Sequence, residues 1–394
     1  MIKRLIIFSC FLFSPLYAQV TPTLRETTRY SVRELDDWLK KQDRPNFVIP
    51  YRYDISGQVL AKWKNVHQSL DGAAVVGSGN RTSNNQYAID TEVVLLYEYG
   101  RAFGNSRLAF SNTGGLFNGS ANSINLTRAY IGYHFITYGP HTLDINLGRR
   151  ELNKMYNSQL MFRSRADGAT LFAYYIWKKI VEFQAYAGIY STSPSSFWLF
   201  RGRLFNIADL GFYFDYVFVD WGAVKPSSNL TNIKTKYGCS QFLVGWERKP
   251  KWLGTNIQAF AALVLNSRAK PHPLSDNELQ NLGGYVGVQY GSTKSKGNFS
   301  VQAQLQFCQL QAVAPWDFAG IGRGPVSNDN LFEVSNLTDV NGNTNYKGYG
   351  LKFNYALTDQ ITIGTSLDRS VNLSKRIGPS SSYTNVQAST TYVF

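Results

Sequence analysis

Cysteine is nearly missing from this 394-residue chain, which has three: Cys10, Cys239 and Cys308. The last two form no Cys-x-x-Cys pair and match no metal-ligand spacing, so no disulfide framework and no metal site is implied. Two cysteines permit a disulfide in an oxidising compartment without requiring one. Histidine is also scarce, with His67, His134, His141 and His272 on separate segments. Neither Gly-x-Ser-x-Gly nor His-Glu-x-x-His occurs, so no local signature of an enzyme is present and no cofactor is expected. Beyond residue 18 no apolar run reaches the roughly twenty residues that a membrane-crossing helix needs.

Aromatic residues, by contrast, make up 15% of the chain, with 25 Tyr and 25 Phe, and glycine contributes 33 residues. Tyr-rich, Gly-rich and Cys-poor strands suit a membrane barrel with aromatic girdles at both interfaces. The mildly negative mean hydropathy agrees, because half of each barrel strand faces water. At the amino end, Lys3 and Arg4 precede an apolar run from Leu5 to Leu16 and then Ala18. This predicts a signal peptide over 1–18, cleaved after Ala18. Without Lys3 and Arg4, 38 bases face 26 acids, a net charge of +12 that calls for a partner or a purpose; no nucleic-acid partner is expected.

Residues 19–50 form a separate N-terminal segment. Ser31-Val32-Arg33-Glu34 has the form of a capping box, and Leu35, Trp38 and Leu39 recur at helical spacing. A short amphipathic helix over 32–42 is expected, lying on the periplasmic side or plugging a barrel. From Tyr51 the period changes to two. Tyr51, Tyr53, Ile55, Gly57, Val59, Ala61 and Trp63 alternate with Arg52, Asp54, Ser56, Gln58, Leu60, Lys62 and Lys64. Phe299, Val301, Ala303, Leu305 and Phe307 oppose Ser300, Gln302, Gln304 and Gln306 in the same way. Extending this test predicts strands near 51–63, 87–99, 106–113, 123–135, 141–150, 167–177, 180–190 and 197–206. It predicts eight more near 211–220, 235–247, 254–265, 281–291, 297–309, 345–357, 360–369 and 383–394. The fold expected for 51–394 is thus all-β: a transmembrane antiparallel up-and-down β-barrel of about sixteen strands, with eighteen as the alternative count.

The last strand carries Val386, Ala388, Thr390, Tyr392 and Phe394 on one side. It resembles the C-terminal signal of Gram-negative outer-membrane proteins, which implies recognition of Phe394 by the barrel-assembly machinery. Connections alternate short and long, and in this class short turns are periplasmic and long loops extracellular. If the first strand rises from the periplasm, Phe394 returns to it. The longest connection, 310–344, is rich in Gly, Pro, Asn and Asp, as functional or mobile loops are.

A barrel of about sixteen strands leaves an aqueous lumen. Alternation points Lys62, Lys64, Arg128, Arg150, Arg201 and Arg203 inward, against Asp54, Asp90, Glu92, Asp144, Glu182 and Asp215. For Arg128 the assignment conflicts with Leu126 and Tyr130, which strict alternation puts on its face. Base concentrates at Arg201 and Arg203 and in the loop holding Lys154, Arg163 and Arg165, the third extracellular loop. In trimeric general porins that loop folds inward. The same arrangement here would let Arg150, Arg163, Arg165, Arg201 and Arg203 favour anions. The plainer alternative is that loop arginines meet lipopolysaccharide phosphates or water.

Asp144-Ile145-Asn146-Leu147-Gly148-Arg149-Arg150-Glu151-Leu152 and Arg163-Ser164-Arg165-Ala166-Asp167-Gly168 are similar to segments of substrate-selective porins and alginate-export-type channels. In those, Gly-Arg-Gln precedes a loop and an Arg with Asp-Gly starts the next strand; here Arg150 replaces the Gln. The resemblance implies a Gram-negative outer-membrane porin passing small hydrophilic solutes, with lipopolysaccharide around it and a homotrimer as the assembly by analogy. Three alternatives stay open: an export channel for an anionic polysaccharide, a non-conducting adhesin working through 310–344, and a hydrolase using His67 or His272.

Overall fold

The computed structural model describes residues 51–70, 73–74, 84–114, 123–138, 141–162, 165–177, 180–192, 195–221, 236–250, 254–271, 277–314, 317–321, 344–374 and 380–394. The expected signal peptide, the expected helix over 32–42, Arg163 and His272 lie outside these residues. Sixteen strands carry the fold: β1 Tyr51–Leu70, β2 Asn84–Tyr99, β3 Ala102–Gly114, β4 Ser123–Tyr138, β5 His141–Glu151, β6 Arg165–Trp177, β7 Val181–Thr192 and β8 Ser195–Ile207. Then come β9 Phe212–Trp221, β10 Tyr237–Arg248, β11 Ile257–Asn266, β12 Leu282–Gly291, β13 Phe299–Cys308, β14 Tyr346–Ala356, β15 Ile361–Asn372 and β16 Ser381–Val393. Each pairs antiparallel with the next, and β1 also pairs with β16 from Gln58↔Val393 to Leu70↔Ser381, so the sheet closes. A two-residue bridge, Ala73–Ala74, folds back on the end of β1. Closure satisfies every ladder from within the sheet, which is what lets strands cross lipid.

Each strand expected from alternation is present. β1 differs most, running to Leu70 rather than 63, because it stays paired with β16 as far as Leu70↔Ser381. Connections at one end of the barrel are short, as in 100–101, 139–140 and 208–211, and at the other they are mostly long, as in 222–236 and 309–345. The two-residue link 193–194 is the exception at the long-loop end.

Outward side chains form an apolar belt that includes Ile55, Ile89, Ile131, Leu171, Ile189, Val286, Leu305 and Leu351. Around its short-turn rim stand Tyr99, Tyr133, Tyr175, Trp177, Phe212, Phe299, Tyr355 and Tyr392. An exposed apolar belt with an aromatic rim is the surface a bilayer stabilises.

Two bulges in β4 alter the parity that strict alternation predicts. Arg107 of β3 pairs with Arg128, but Leu108 pairs with Leu126, leaving Thr127 as the additional residue. Its hydroxyl donates to the Arg107 carbonyl at 3.1 Å. Leu126 therefore faces lipid while Arg128 and Tyr130 face inward, which resolves the conflict at Arg128. A second register shift lies between His134 and Ile136.

Cys239 and Cys308 are both free and buried. They stand on β10 and β13, three strands apart. At about 4.8 Å per strand that separation is near 14 Å along the sheet, beyond the reach of a disulfide.

Candidate pore constriction

The inner wall is not polar throughout. On β9, Phe212, Phe214, Tyr216 and Phe218 face lipid, yet Val217, Val219 and Trp221 on the opposite face are apolar and fully buried. Tyr237, Cys239 and Leu243 of β10 and Val264 of β11 continue this patch. Inward apolar residues cost free energy against water, so something must cover them.

Two loop segments do so. After β5 the chain forms a short helix, α1 (Leu152–Tyr156), which ends on Asn157 in the left-handed conformation at φ 47°. It then continues down the lumen side of the wall instead of outward. Leu152, Met155, Tyr156, Leu160, Met161 and Phe162 are buried in one cluster with Tyr190, Leu199, Val217, Trp221 and Tyr237. The third extracellular loop thus folds inward, as the porin resemblance implied. The second segment follows β13, where Leu310, Ala312, Val313, Ala314 and Phe318 join the same cluster. Met161 and Phe318 form an isolated β-bridge, and the Ala319 amide donates to the Leu160 carbonyl at 2.9 Å. The buried Asp317 carboxylate accepts from the Phe162 amide at 2.9 Å.

Polar side chains fasten this core to the wall. Ser158 donates to Gln241 at 2.7 Å, and the Tyr156 and Tyr190 hydroxyls lie 2.6 Å apart. Burial, with the Tyr190 hydroxyl beside it, pushes the Tyr156 phenol well above its ordinary value, so this link is neutral. Replacing Asp317 by alanine removes the only carboxylate that receives the Phe162 amide in the described residues. A buried donor left without its charged acceptor costs about 1–3 kcal/mol. Asp317→Ala should therefore loosen the inner face of both loops and speed protease cleavage near Met161, while heat-resistant mobility of the barrel stays unchanged. Unaltered cleavage would remove Asp317 from this role.

The expected pore residues fall into distinct groups. Arg201 donates through Nε to Asp215 at 2.8 Å, binds the same carboxylate a second time, and donates to the Met155 carbonyl in α1. Both partners are buried, Asp215 completely. Arg203 stands 4.0 Å from Asp215, between the rings of Phe205 and Tyr213. Arg150 stacks on Tyr130 at 3.6 Å and reaches the Met155 sulfur at 3.5 Å. Arg150, Arg201 and Arg203 are thus brought together, but Arg150 and Arg201 hold α1 and are buried beneath it rather than bare in the lumen. Arg128 faces inward and pairs with Glu151 at 3.1 Å. Asp144 pairs with His134 at 2.7 Å, with the Phe103 ring stacked on the imidazole at 4.4 Å.

Arg165 needs correction. It shares its face of β6 with Leu171, Tyr175 and Trp177, so it points away from the lumen, while Ala166 points in. Expecting it in the pore treated it as a loop residue, whereas it opens β6 and takes that strand's parity. Arg149 and Asp167 likewise form an outer-face pair, at 2.8 Å.

Arg107, Glu151 and Lys352 were not among the residues expected from the sequence. Arg107 joins Glu92 and Glu151, the latter at 3.0 Å, which ties the root of α1 to β2 and β3. The alternation of the expected strand over 106–113 already carried its inward position, opposite Leu108 and Phe110.

The solvent-accessible part of the interior lies on the other wall. Lys352 of β14 is exposed although Leu351 and Phe353 beside it face lipid. In register with it run Ser366, Gln387 and Lys64 in one direction and Gln302 and Gln289 in the other. One half of the barrel interior is therefore a dry core and the other a hydrophilic wall.

A closed sixteen-stranded barrel with an apolar belt and an inward-folded third loop is a transmembrane β-barrel of the outer membrane, with the fold of porins. No helix among the described residues is long and apolar enough to cross a membrane; the strands cross it. No family model matches the sequence, and no curated protein does. Among solved structures, the high-pH structure of OprB from Pseudomonas putida aligns with a TM-score of 0.54 at 10% identity, over 87% of this chain and 94% of that one. The outer membrane channel DcaP of Acinetobacter baumannii gives 0.48 at 12% identity, over 87% and 97%. A mutant of the Rh. blastica porin gives 0.45 at 10%, over 87% and 100%. At 10% identity the property shared with OprB is the fold.

Proposed function

We propose that this barrel is a porin-type channel for passive diffusion of small hydrophilic solutes. The observation that carries it is the division of the interior, with a packed constriction on β6–β13 facing a wall of Gln, Ser, Asn, Lys and Asp side chains, Asp54 and Asp368 among them, that is less buried on β14–β16 and β1. A lumen narrowed from one side in a low-dielectric barrel focuses the field of its remaining charges. The anion preference expected from the arginines passes in this proposal to Lys64 and Lys352, two cations set around the Asp368 carboxylate, because Arg201 is neutralised by Asp215 and Lys62 is paired with Asp90. The proposal includes a homotrimer, surrounding lipopolysaccharide, and delivery by the barrel-assembly machinery through the strand that ends on Phe394. It includes no catalytic step. An export channel for an anionic polysaccharide would need a continuous arginine-lined lumen, which the burial of Arg150 and Arg201 disfavours.

Planar-bilayer recording tests this reading. Discrete conductance steps are expected, with a reversal potential on the anion side in a salt gradient. Lys64→Glu combined with Lys352→Glu should move that potential toward cations without changing folding. A barrel that inserts but never conducts would instead support a filled, non-conducting adhesin.

A further inference from the structure

The outer face at the long-loop end carries charges that the channel does not use. Two of the bases there are matched within the protein, Arg149 by Asp167 and Arg268 by Asp220 at 2.6 Å, and Arg165 shares the outer face of β6 with Asp167. Lys347 near the start of β14 and Arg369 near the end of β15 have no acidic partner among the described residues. Lys347 pairs across the ladder with Val371 and Tyr349 with Arg369, so the two cations are diagonal neighbours on one face. That face is the outer one, since Tyr349, Leu351, Phe353 and Ile363 share it. Both cations are exposed. The Tyr349 ring stands directly opposite Arg369, and Thr384 of β16 flanks Arg369 on the other side.

We propose that Lys347 and Arg369 form a binding site for the phosphate of an anionic lipid in the outer leaflet, of the lipid A type. Lys347 lies beyond the apolar row of β14, and Arg369 is followed on its face of β15 only by Val371, so both stand at the long-loop end of the belt, at the level of headgroups. Two cations at diagonal spacing match one phosphate, whose oxygens accept from the guanidinium fork and the ammonium together. The Tyr349 and Thr384 hydroxyls supply further donors at the same level, and Leu351, Leu367 and Val386, one step nearer the middle of the belt, offer acyl chains an apolar bed. Lipid is the occupant because the patch is continuous with the lipid-facing belt. The inference rests on which end of the barrel is extracellular and not on conduction, so a failure of the channel reading leaves it standing.

The test is binding of bis-phosphorylated lipid A to the detergent-solubilised full chain by native mass spectrometry. Near an anionic membrane surface each cation contributes enough for about a fivefold change, so Lys347→Gln with Arg369→Gln should weaken binding about thirtyfold. Lipid A lacking both phosphates should bind the original chain as weakly as the variant does. Lys294→Glu with Lys296→Glu, in the opposite rim, should change nothing. Equal binding by the Gln variant, or equal binding of phosphate-free lipid A, would overturn the proposal. A change in oligomeric mass without a change in lipid binding would overturn it too, and would mark the patch as a contact between copies. Strong competition by inorganic phosphate alone would show a free-anion site instead of a lipid site.

Discussion

Arg201→Ala is expected to destabilise the barrel by about 3–5 kcal/mol, because it leaves Asp215 buried without its bidentate partner and with only Arg203, 4.0 Å away, as a cation. The same substitution removes the donor that holds the Met155 carbonyl, so α1 should detach from the wall. Two readouts should move together: the urea midpoint of unfolding followed by tryptophan fluorescence should fall, and single-channel conductance should rise and become noisy. Replacing both partners, as Arg201→Met with Asp215→Leu, removes the charge imbalance and should restore most of the stability. Conductance should stay raised in this double variant, since the carbonyl has still lost its donor. Stability within about 0.5 kcal/mol of the original after Arg201→Ala would show that the pair is not structural. Alternation alone suggested a different result, a reversal-potential shift after Arg201→Glu with Arg203→Glu. The burial of Arg201 makes disruption of the constriction the expected outcome of that experiment.

Gly57→Leu should abolish closure of the barrel. Gly57 exchanges both backbone hydrogen bonds with Phe394, at 2.9 and 3.0 Å, across the junction of β1 and β16. It lies on the outer face, and the Phe394 ring covers it. A Cβ there would lie 2.6 Å from that ring and 2.7 Å from the Glu92 carbonyl oxygen of β2. The ring occupies the space a side chain would take, as aromatic residues do over strand glycines. An over-packed junction costs about 1–3 kcal/mol, and here the strain falls on the ladder that closes the sheet. The expected result is loss of the heat-modifiable folded band on cold SDS gels. Gly57→Ala should be milder, and Phe394→Ala should relieve part of its cost by vacating the ring's position. A double-mutant cycle with a coupling of about 0.5–3 kcal/mol checks this. Strict additivity of the two single changes would rule out the contact.

The strands were legible because a barrel strand must present lipid on one side and water on the other, which writes a period of two into the chain. Phe299 to Phe307 shows this plainly. The period also gave the correct inward direction for Lys62, Arg150, Arg201 and Asp215. It failed at two kinds of position. Thr127 adds a residue to β4, and a bulge leaves little trace in a single sequence beyond a conflict of parity, here between Leu126 and Arg128. Arg165 was read as loop when it begins a strand, and a boundary error of two residues moved it to the wrong side of the wall.

The constriction was half legible. Its position in the third loop followed from counting connections. The dock was also written in the sequence, since β9 carries Val217, Val219 and Trp221 on its inward face where a half-wet strand is polar, but that signal needs the inward loop to interpret it. The role of 310–314 and 317–321 as a second layer on α1 depends on Asp317 reaching Phe162, 155 residues earlier in the chain.

The amino-acid sequence by itself determined that this chain crosses a membrane by strands, about sixteen of them, which face of most strands meets lipid, and which end carries the long loops. Each follows from local alternation and connection length, properties that a strand cannot hide. Only the tertiary structure decided which inward charges meet water. Alternation says that Arg201 and Lys352 both point into the barrel. Burial against α1 neutralises the first, and the open wall leaves the second exposed, because loops distant in sequence fill one half of the lumen and leave the other half wet.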